Sequence, residues 1–147
     1  MRLLIQRVNK ASVNCEGKLV SEIGAGFLIL VGFKKDDTSV GFPKIVHRLL
    51  NVALFNDERG RMGKSLLETQ GELLVVSQFT LYGQMEKGRK VNWDEAMPYA
   101  DAELLYNQFL AYLKENYSSD KIKFGVFGGE MVVDLQNDGP VTVMLEL

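Results

Sequence analysis

With 147 residues, 46% hydrophobic and 24% charged, the chain has the size and composition of one globular domain that buries its own core without staples. Cys15 is the only cysteine and His47 the only histidine, which excludes an intrachain disulfide and cysteine-based zinc sites and suits a reducing compartment. The net charge of −2 gives no global pull on nucleic acid, so an RNA ligand would need a local basic patch or contact restricted to one end.

The opening Met1-Arg2-Leu3-Leu4-Ile5-Gln6-Arg7 turns polar within two residues of its apolar start, unlike a signal peptide or a membrane span. The expectation is a cytoplasmic protein in which residues 1–147 form a single domain, for no repeat, linker or low-complexity tract interrupts them. Residues 2–8 read as a strand, and residues 11–22 as a hairpin turning at Glu16-Gly17. Phe27-Leu28-Ile29-Leu30-Val31, flanked by Gly24, Gly26 and Gly32, has the length of a strand buried on both faces. Asp37-Thr38-Ser39 offers N-caps for a helix through Leu50, with Pro43 in its first turns and Ile45, Val46, Leu49 and Leu50 as its apolar stripe. Asn56-Asp57-Glu58-Arg59-Gly60 is a loop. Leu73-Leu74-Val75-Val76 then runs into Ser77-Gln78-Phe79-Thr80-Leu81, and a Gly- and charge-rich loop extends from Gly83 to Gly88. Pro98 begins a helix to about Tyr117, with Ala102, Leu105, Tyr106, Phe109 and Leu113 on one face. Two strands close the chain, Met131/Val133/Leu135 and Val141/Val143/Leu145/Leu147, separated by Asn137-Asp138-Gly139-Pro140. The pattern predicts an α/β fold: a β-rich roll or partial barrel of mostly antiparallel strands covered by two helices.

Few residues are equipped for hydrolytic chemistry. His47 lies mid-helix between Val46 and Arg48, so a Ser-His-Asp triad is not expected. No GxSxG elbow, phosphate-binding loop or metal motif occurs, and no cofactor or metal is expected. Asp57, Glu58 and Asp94 lie in loops, with nothing to pair them. What remains is backbone. Ser77, Gln78 and Thr80 follow a wholly apolar strand, and N–H groups past the last paired residue can hold a developing oxyanion. Equally, these residues could simply finish a strand, and Asn-Asp-Gly-Pro could simply be a tight turn. Two basic clusters, Arg59/Arg61/Lys64 and Lys87/Arg89/Lys90, are candidates either for RNA contact or for solvated loops.

The combination of Ser77-Gln78-Phe79-Thr80-Leu81 with Gly139-Pro140-Val141-Thr142 resembles the paired signatures of the D-aminoacyl-tRNA deacylases. Further matching segments are Gln6-Arg7-Val8, Ala11-Ser12-Val13, Glu22-Ile23-Gly24-Ala25-Gly26, Phe55-Asn56-Asp57, Gly60-Arg61-Met62 and Lys87-Gly88, so the resemblance covers nearly the whole chain. It implies a homodimer with the active site at the subunit interface. The Gly139-Pro140 peptide would be cis and would enter the partner's pocket, its carbonyls walling out L-side chains while D-amino acids and glycine enter. Arg7 would hold that motif. It implies proofreading of mischarged tRNA at its acceptor end, with backbone amides near Phe79 and Thr80 holding the oxyanion, Ser77 and Gln78 ordering the pocket, and Phe127 and Met131 lining it. By the same resemblance the 2′-hydroxyl of the terminal adenosine activates water, and glycine mischarged on alanine tRNA is a possible second substrate; no DNA or membrane partner is implied. The chain departs from the family's usual Lys-Gly-x-Arg-Pro-Ser-Phe at Lys87-Gly88-Arg89-Lys90-Val91-Asn92-Trp93, and from its Thr-Gly-x-Phe-Gly-Ala-Asp-Met at Phe124-Gly125-Val126-Phe127-Gly128-Gly129-Glu130-Met131. The alternative is a non-catalytic nucleic-acid-binding dimer of the same fold, favoured by the altered residues 90–93. A surface role for Arg7 stays open.

Overall fold

The computed structural model describes every residue except Glu86 and Lys87. It begins with a strand far longer than residues 2–8, β1 (Arg2–Cys15). Register shifts at Gln6/Val8 and Val8/Lys10 explain the difference. Leu3 and Ile5 enter one core, while Val8, Ala11 and Val13 enter another. The two-residue period therefore breaks although the ladder continues. Glu16 and Gly17, with φ of 51° and 75°, make the expected turn into β2 (Lys18–Ile23). In β3 (Gly26–Gly32), Phe27, Ile29 and Val31 face the first core, whereas Leu28 and Leu30 face the second.

Helix α1 (Phe42–Asn51) buries Ile45, Val46, Leu49 and Leu50 as the periodicity predicts. None of Asp37, Thr38 or Ser39 caps it with a side chain. A 3₁₀ turn over Ser39–Gly41 intervenes, and the Asp37 carboxylate instead accepts from the Lys34 N–H at 2.7 Å. A short hairpin, β4 (Phe55–Asn56) and β5 (Met62–Lys64), precedes the one-turn helix α2 (Leu66–Thr69), which the sequence reading missed. Strand β6 (Glu72–Ser77) runs parallel to β3, with Phe27 opposite Leu73 and Val31 opposite Ser77. The expected loop from Gly83 contains half of a small ribbon, β7 (Gln84–Met85) paired with β8 (Val91–Asn92). Lys87 of the second basic cluster lies outside the described residues. Helix α3 (Tyr99–Asn116) starts after Pro98 and buries Leu105, Tyr106, Phe109 and Leu113. A parallel strand not anticipated from sequence, β9 (Ile122–Phe124), adds to β6, and β10 (Met131–Glu146) pairs antiparallel with β1 from end to end.

The main sheet runs β10-β1-β3-β6-β9, with β2 on the far half of β1. Ser21 Oγ of β2 donates to the Phe124 carbonyl at 2.9 Å, which curls the sheet towards closure. The result is the expected mixed α/β, barrel-like sheet, with β3, β6 and β9 as its parallel portion. The inner core holds Val8, Val13, Leu28, Leu74 and Val76, and the outer one lies beneath α1 and α3. Among the described residues no helix is long and apolar enough to cross a membrane.

Candidate active site

Parallel strands end on the same side, and the shared end of β3 and β6 opens a cavity of about 440 Å³. Its floor is Val31, Gly32 and Phe33 beside Val76, Ser77, Gln78 and Phe79. The two strands are locked where they leave the sheet, since the Gln78 N–H donates to the Val31 carbonyl at 2.7 Å. Gly32 is required for this approach: a β-carbon there would stand 2.9 Å from the Gln78 carbonyl oxygen. A 3₁₀ turn follows over Phe79–Tyr82. The N–H groups of Phe79 and Thr80 open the turn, so they have no acceptor within it. Arg2 secures the far end of the turn, donating to the Leu81 carbonyl at 2.7 Å with its guanidinium 4.5 Å from the centre of the Tyr82 ring.

The opposite wall is aromatic. Phe127 sits between Tyr99 and Tyr106, at ring separations of 5.2 and 5.3 Å. Tyr106 donates to the Val75 carbonyl at 3.0 Å, and burial raises its phenol pKa, so it remains a neutral donor. Met131 also lines the cavity, and its sulfur accepts from the Val126 N–H at 3.3 Å, tying the 125–129 loop to β10. At the rim, Phe79 is 56% exposed and stands edge-on to Trp93, whose ring centre is 5.2 Å away.

Ser77, Gln78, Phe79, Phe127 and Met131 thus converge on one cavity, and Thr80 lies just outside its lining. Thr80 is exposed, and its hydroxyl accepts a hydrogen bond from the Gln78 side-chain amide. Arg7, Gly139 and Pro140 do not border the cavity of their own chain. They build a second feature. Gln6 pairs with Thr142 and Val8 with Asn137, so four residues (138–141) bulge from β10 opposite the single residue Arg7. Gly139 and Pro140 are exposed at the crest, joined by a cis peptide bond.

Arg7 is only 4% exposed, which rules out the surface role left open by sequence. Its Nη1 donates to the Leu54 carbonyl at 2.5 Å and to Asn56 Oδ1 at 3.1 Å. Its Nε lies 2.8 Å from Asp138 Oδ2, but the N–H is not directed at that oxygen, so this contact is an ion pair rather than a hydrogen bond. With its amide nitrogen turned towards the carbonyls, Asn137 donates to Arg7 at 2.9 Å and Val141 at 3.2 Å, closing the base of the bulge.

Sequence reasoning missed Tyr99, Met97, Ala102 and Phe33 as lining residues, because the start of α3 with the residues before it, and the residue after β3, come from distant positions. Gly32, a glycine directly after an apolar strand, was the available signal. His47 is exposed, the Asp57 carboxylate accepts from the Arg59 and Arg61 N–H groups, and Glu58 pairs with Lys64. Among the described residues no three His, Cys, Asp or Glu side chains gather to hold a metal ion.

A model of the family described as D-Tyr-tRNA(Tyr) deacylase matches residues 4–146. The chain is 46% identical over 146 residues to the D-aminoacyl-tRNA deacylase of Clostridium botulinum (strain Eklund 17B / Type B), covering 99% of this chain and 97% of that one. It is likewise 46% identical to the protein of that name from Thermosipho africanus (strain TCF52B), with the same coverage. Among solved structures, one titled c-Myc DNA Unwinding Element Binding Protein superposes with a TM-score of 0.94 at 43% identity, over 100% of this chain and 99% of that one. A probable eukaryotic D-amino acid tRNA deacylase superposes with a TM-score of 0.87 at 18% identity, covering 99% and 98% of the two chains, a likeness of fold.

Proposed function

The chain belongs to the D-Tyr-tRNA(Tyr) deacylase family and is an ester hydrolase of D-aminoacyl-tRNA, and on that premise we propose how its residues divide the work. The cavity at the ends of β3 and β6 receives the amino acid on the acceptor end of tRNA. The N–H groups of Phe79 and Thr80 hold the oxyanion, Ser77 and Gln78 order the pocket, and Phe127 and Met131 line it. Two chains pair so that Gly139 and Pro140 of each complete the other's pocket and exclude L-side chains, with Arg7 fixing their position. The observation that carries this reading is a separation: the exposed crest of the bulge, Gly139 and Pro140, does not border its own chain's cavity. Each element makes sense with a second copy supplying the missing wall.

The attacking water is activated by the terminal 2′-hydroxyl. The Thr80 hydroxyl is already engaged by Gln78, which supports an auxiliary rather than nucleophilic role. Because exclusion acts at Cα, glycine on alanine tRNA is a substrate as well. A proofreading enzyme of this kind works in the cytoplasm, where tRNA is charged. The deciding experiment measures deacylation of matched D- and L-aminoacyl-tRNA alongside the mass of the protein in solution. Release of D- but not L-amino acids by a dimer is expected. An active monomer, or equal rates on both enantiomers, would overturn the division of labour.

A further inference from the structure

The hairpin of β4 and β5 projects a basic tip that the pocket does not use. Its turn is held by its own first residue: the Asp57 N–H donates to the Arg61 carbonyl at 2.7 Å, and the Asp57 carboxylate accepts from Arg59 N–H at 2.8 Å and Arg61 N–H at 3.0 Å. One acidic side chain is thereby committed to the loop's own backbone. The other, Glu58, is committed to Lys64. Arg59 and Arg61 are exposed, and neither takes part in an ion pair among the described residues. In a chain with a net charge of −2, this pair of guanidinium groups is a local reversal of sign.

The hairpin's position makes that charge meaningful. The Arg7 guanidinium that touches its root, at Asn56 Oδ1 and the Leu54 carbonyl, also pairs with Asp138 in the bulge. A β-carbon on Gly139 would stand 2.9 Å from Arg7 Nη2, so one side chain spans the gap between hairpin and bulge. Wherever the bulge docks, the hairpin goes with it. Beyond Asn56 the chain closes a tight turn, with the Gly60 N–H donating to the Asp57 carbonyl at 3.0 Å, and this turn carries Arg59 and Arg61 at the hairpin's tip.

We infer that Arg59 and Arg61 form a phosphate-docking surface for the RNA whose aminoacyl end lies in the partner subunit's pocket. This rests on the proposed exchange of bulges across a dimer, and it adds the surface that grips the RNA behind its reacting end. Guanidinium groups suit phosphates because their fork matches two oxygens, and neutralising phosphates releases counterions from the RNA.

The test compares wild type with the double variant Arg59→Ala/Arg61→Ala on two substrates, D-aminoacyl-tRNA and a D-aminoacyl ester of adenosine, across a salt series. On tRNA, kcat/KM should fall roughly 10-fold at low salt. The slope of log kcat/KM against log salt should flatten by roughly 1.4, the value for two lost contacts to single-stranded phosphates. On the adenosine ester the variant should match wild type, and Arg59→Lys/Arg61→Lys should restore much of the salt slope. An unchanged slope on tRNA, or equal losses on both substrates, overturns the inference while leaving the proposed function intact. Wild type inactive on D-aminoacyl-tRNA would instead sink the underlying reading. Mixed dimers decide the geometry: a double-variant chain paired with an intact-hairpin chain whose own pocket is blocked by Ala102→Trp should hydrolyse tRNA at the wild-type rate per open pocket. A loss equal to that of the double-variant homodimer would refute action across the interface.

Discussion

Replacing Arg7 by methionine keeps most of the side chain's apolar stem and removes the charge that joins β1, the 54–56 segment and the 138–141 bulge. The bond to the Leu54 carbonyl is buried, and charge-assisted hydrogen bonds contribute roughly 1.5–3 kcal/mol each. The Asn56 bond is part-exposed and the Asp138 side chain is 42% exposed, so screening holds each of those contacts to about 1 kcal/mol or less. Asp138 can rehydrate once its partner is gone; the Leu54 carbonyl cannot. The net cost should be about 3 kcal/mol, which lowers the urea midpoint by about 1–2 M if the m-value is unchanged. Arg7→Lys should fall between the two, because one ammonium cannot serve partners on both sides. Activity should suffer separately from folding: at a temperature where Arg7→Met is fully folded, its preference for D- over L-aminoacyl-tRNA should shrink because the bulge is no longer held. Urea titration and enantiomer-matched deacylation read both effects. A variant within about 0.5 kcal/mol of wild type, with its preference unchanged, would refute the structural role assigned to Arg7.

Gly139→Ala should abolish most activity while leaving the circular dichroism spectrum unaltered. Its φ of 111° and the 2.8 Å approach to Val141 Cγ2 disfavour any β-carbon, and a matching D-activity would show that the bulge tolerates displacement. Thr80→Ala should retain much of the rate, whereas a terminal 2′-deoxy tRNA should lose ~10²-fold or more in single-turnover assays; the reverse ranking would make Thr80 the nucleophile. Ser65→Ala should cost about 1 kcal/mol in chemical denaturation, because Ser65 caps α2 by accepting from the Glu68 N–H at 3.3 Å. Bonding to Ser65 holds the Glu68 carboxyl below its ordinary value of 4.5. Its contribution is therefore complete above pH 4.5 and fades as pH falls through the lower folded value, so the thermal stabilities of wild type and Glu68→Gln should converge in acid.

The elements written in local chemistry were legible: the Glu16-Gly17 turn, the doubly buried β3, the apolar stripe of α3, and the Ser77-Gln78-Phe79 segment that became the cavity floor. Helix α2 was missed though Ser65-x-x-Glu68 spells a capping box, because one turn leaves no room for a periodic signal. Strand β9 was missed for a different reason. Ile122-Lys123-Phe124 is too short to declare itself, and its parallel pairing to β6 is made across the sheet. The terminal strand was divided in two because Gly-Pro reads as a break, whereas β10 resumes its pairing with β1 beyond the bulge. Arg7 was tied to the bulge only through family likeness, since nothing local reveals that a charged residue will be 4% exposed.

The bulge sits where the β1–β10 pair passes from one packing layer to the other. On one side Leu3 and Ile5, with Val143 and Leu145, belong to the layer under the helices; on the other Val13, with Met131 and Val133, belongs to the layer inside the curved sheet. Each half of the ladder is therefore registered by its own set of apolar contacts, and neither relies on the four looped residues to stay aligned. The strands thus place no demand on the crest of the bulge, and what residues 138–140 must be is set by what they contact and not by the ladder that carries them. Libraries randomised at residues 138–140 should therefore yield mostly folded proteins of which few keep activity, a loss of function without loss of fold.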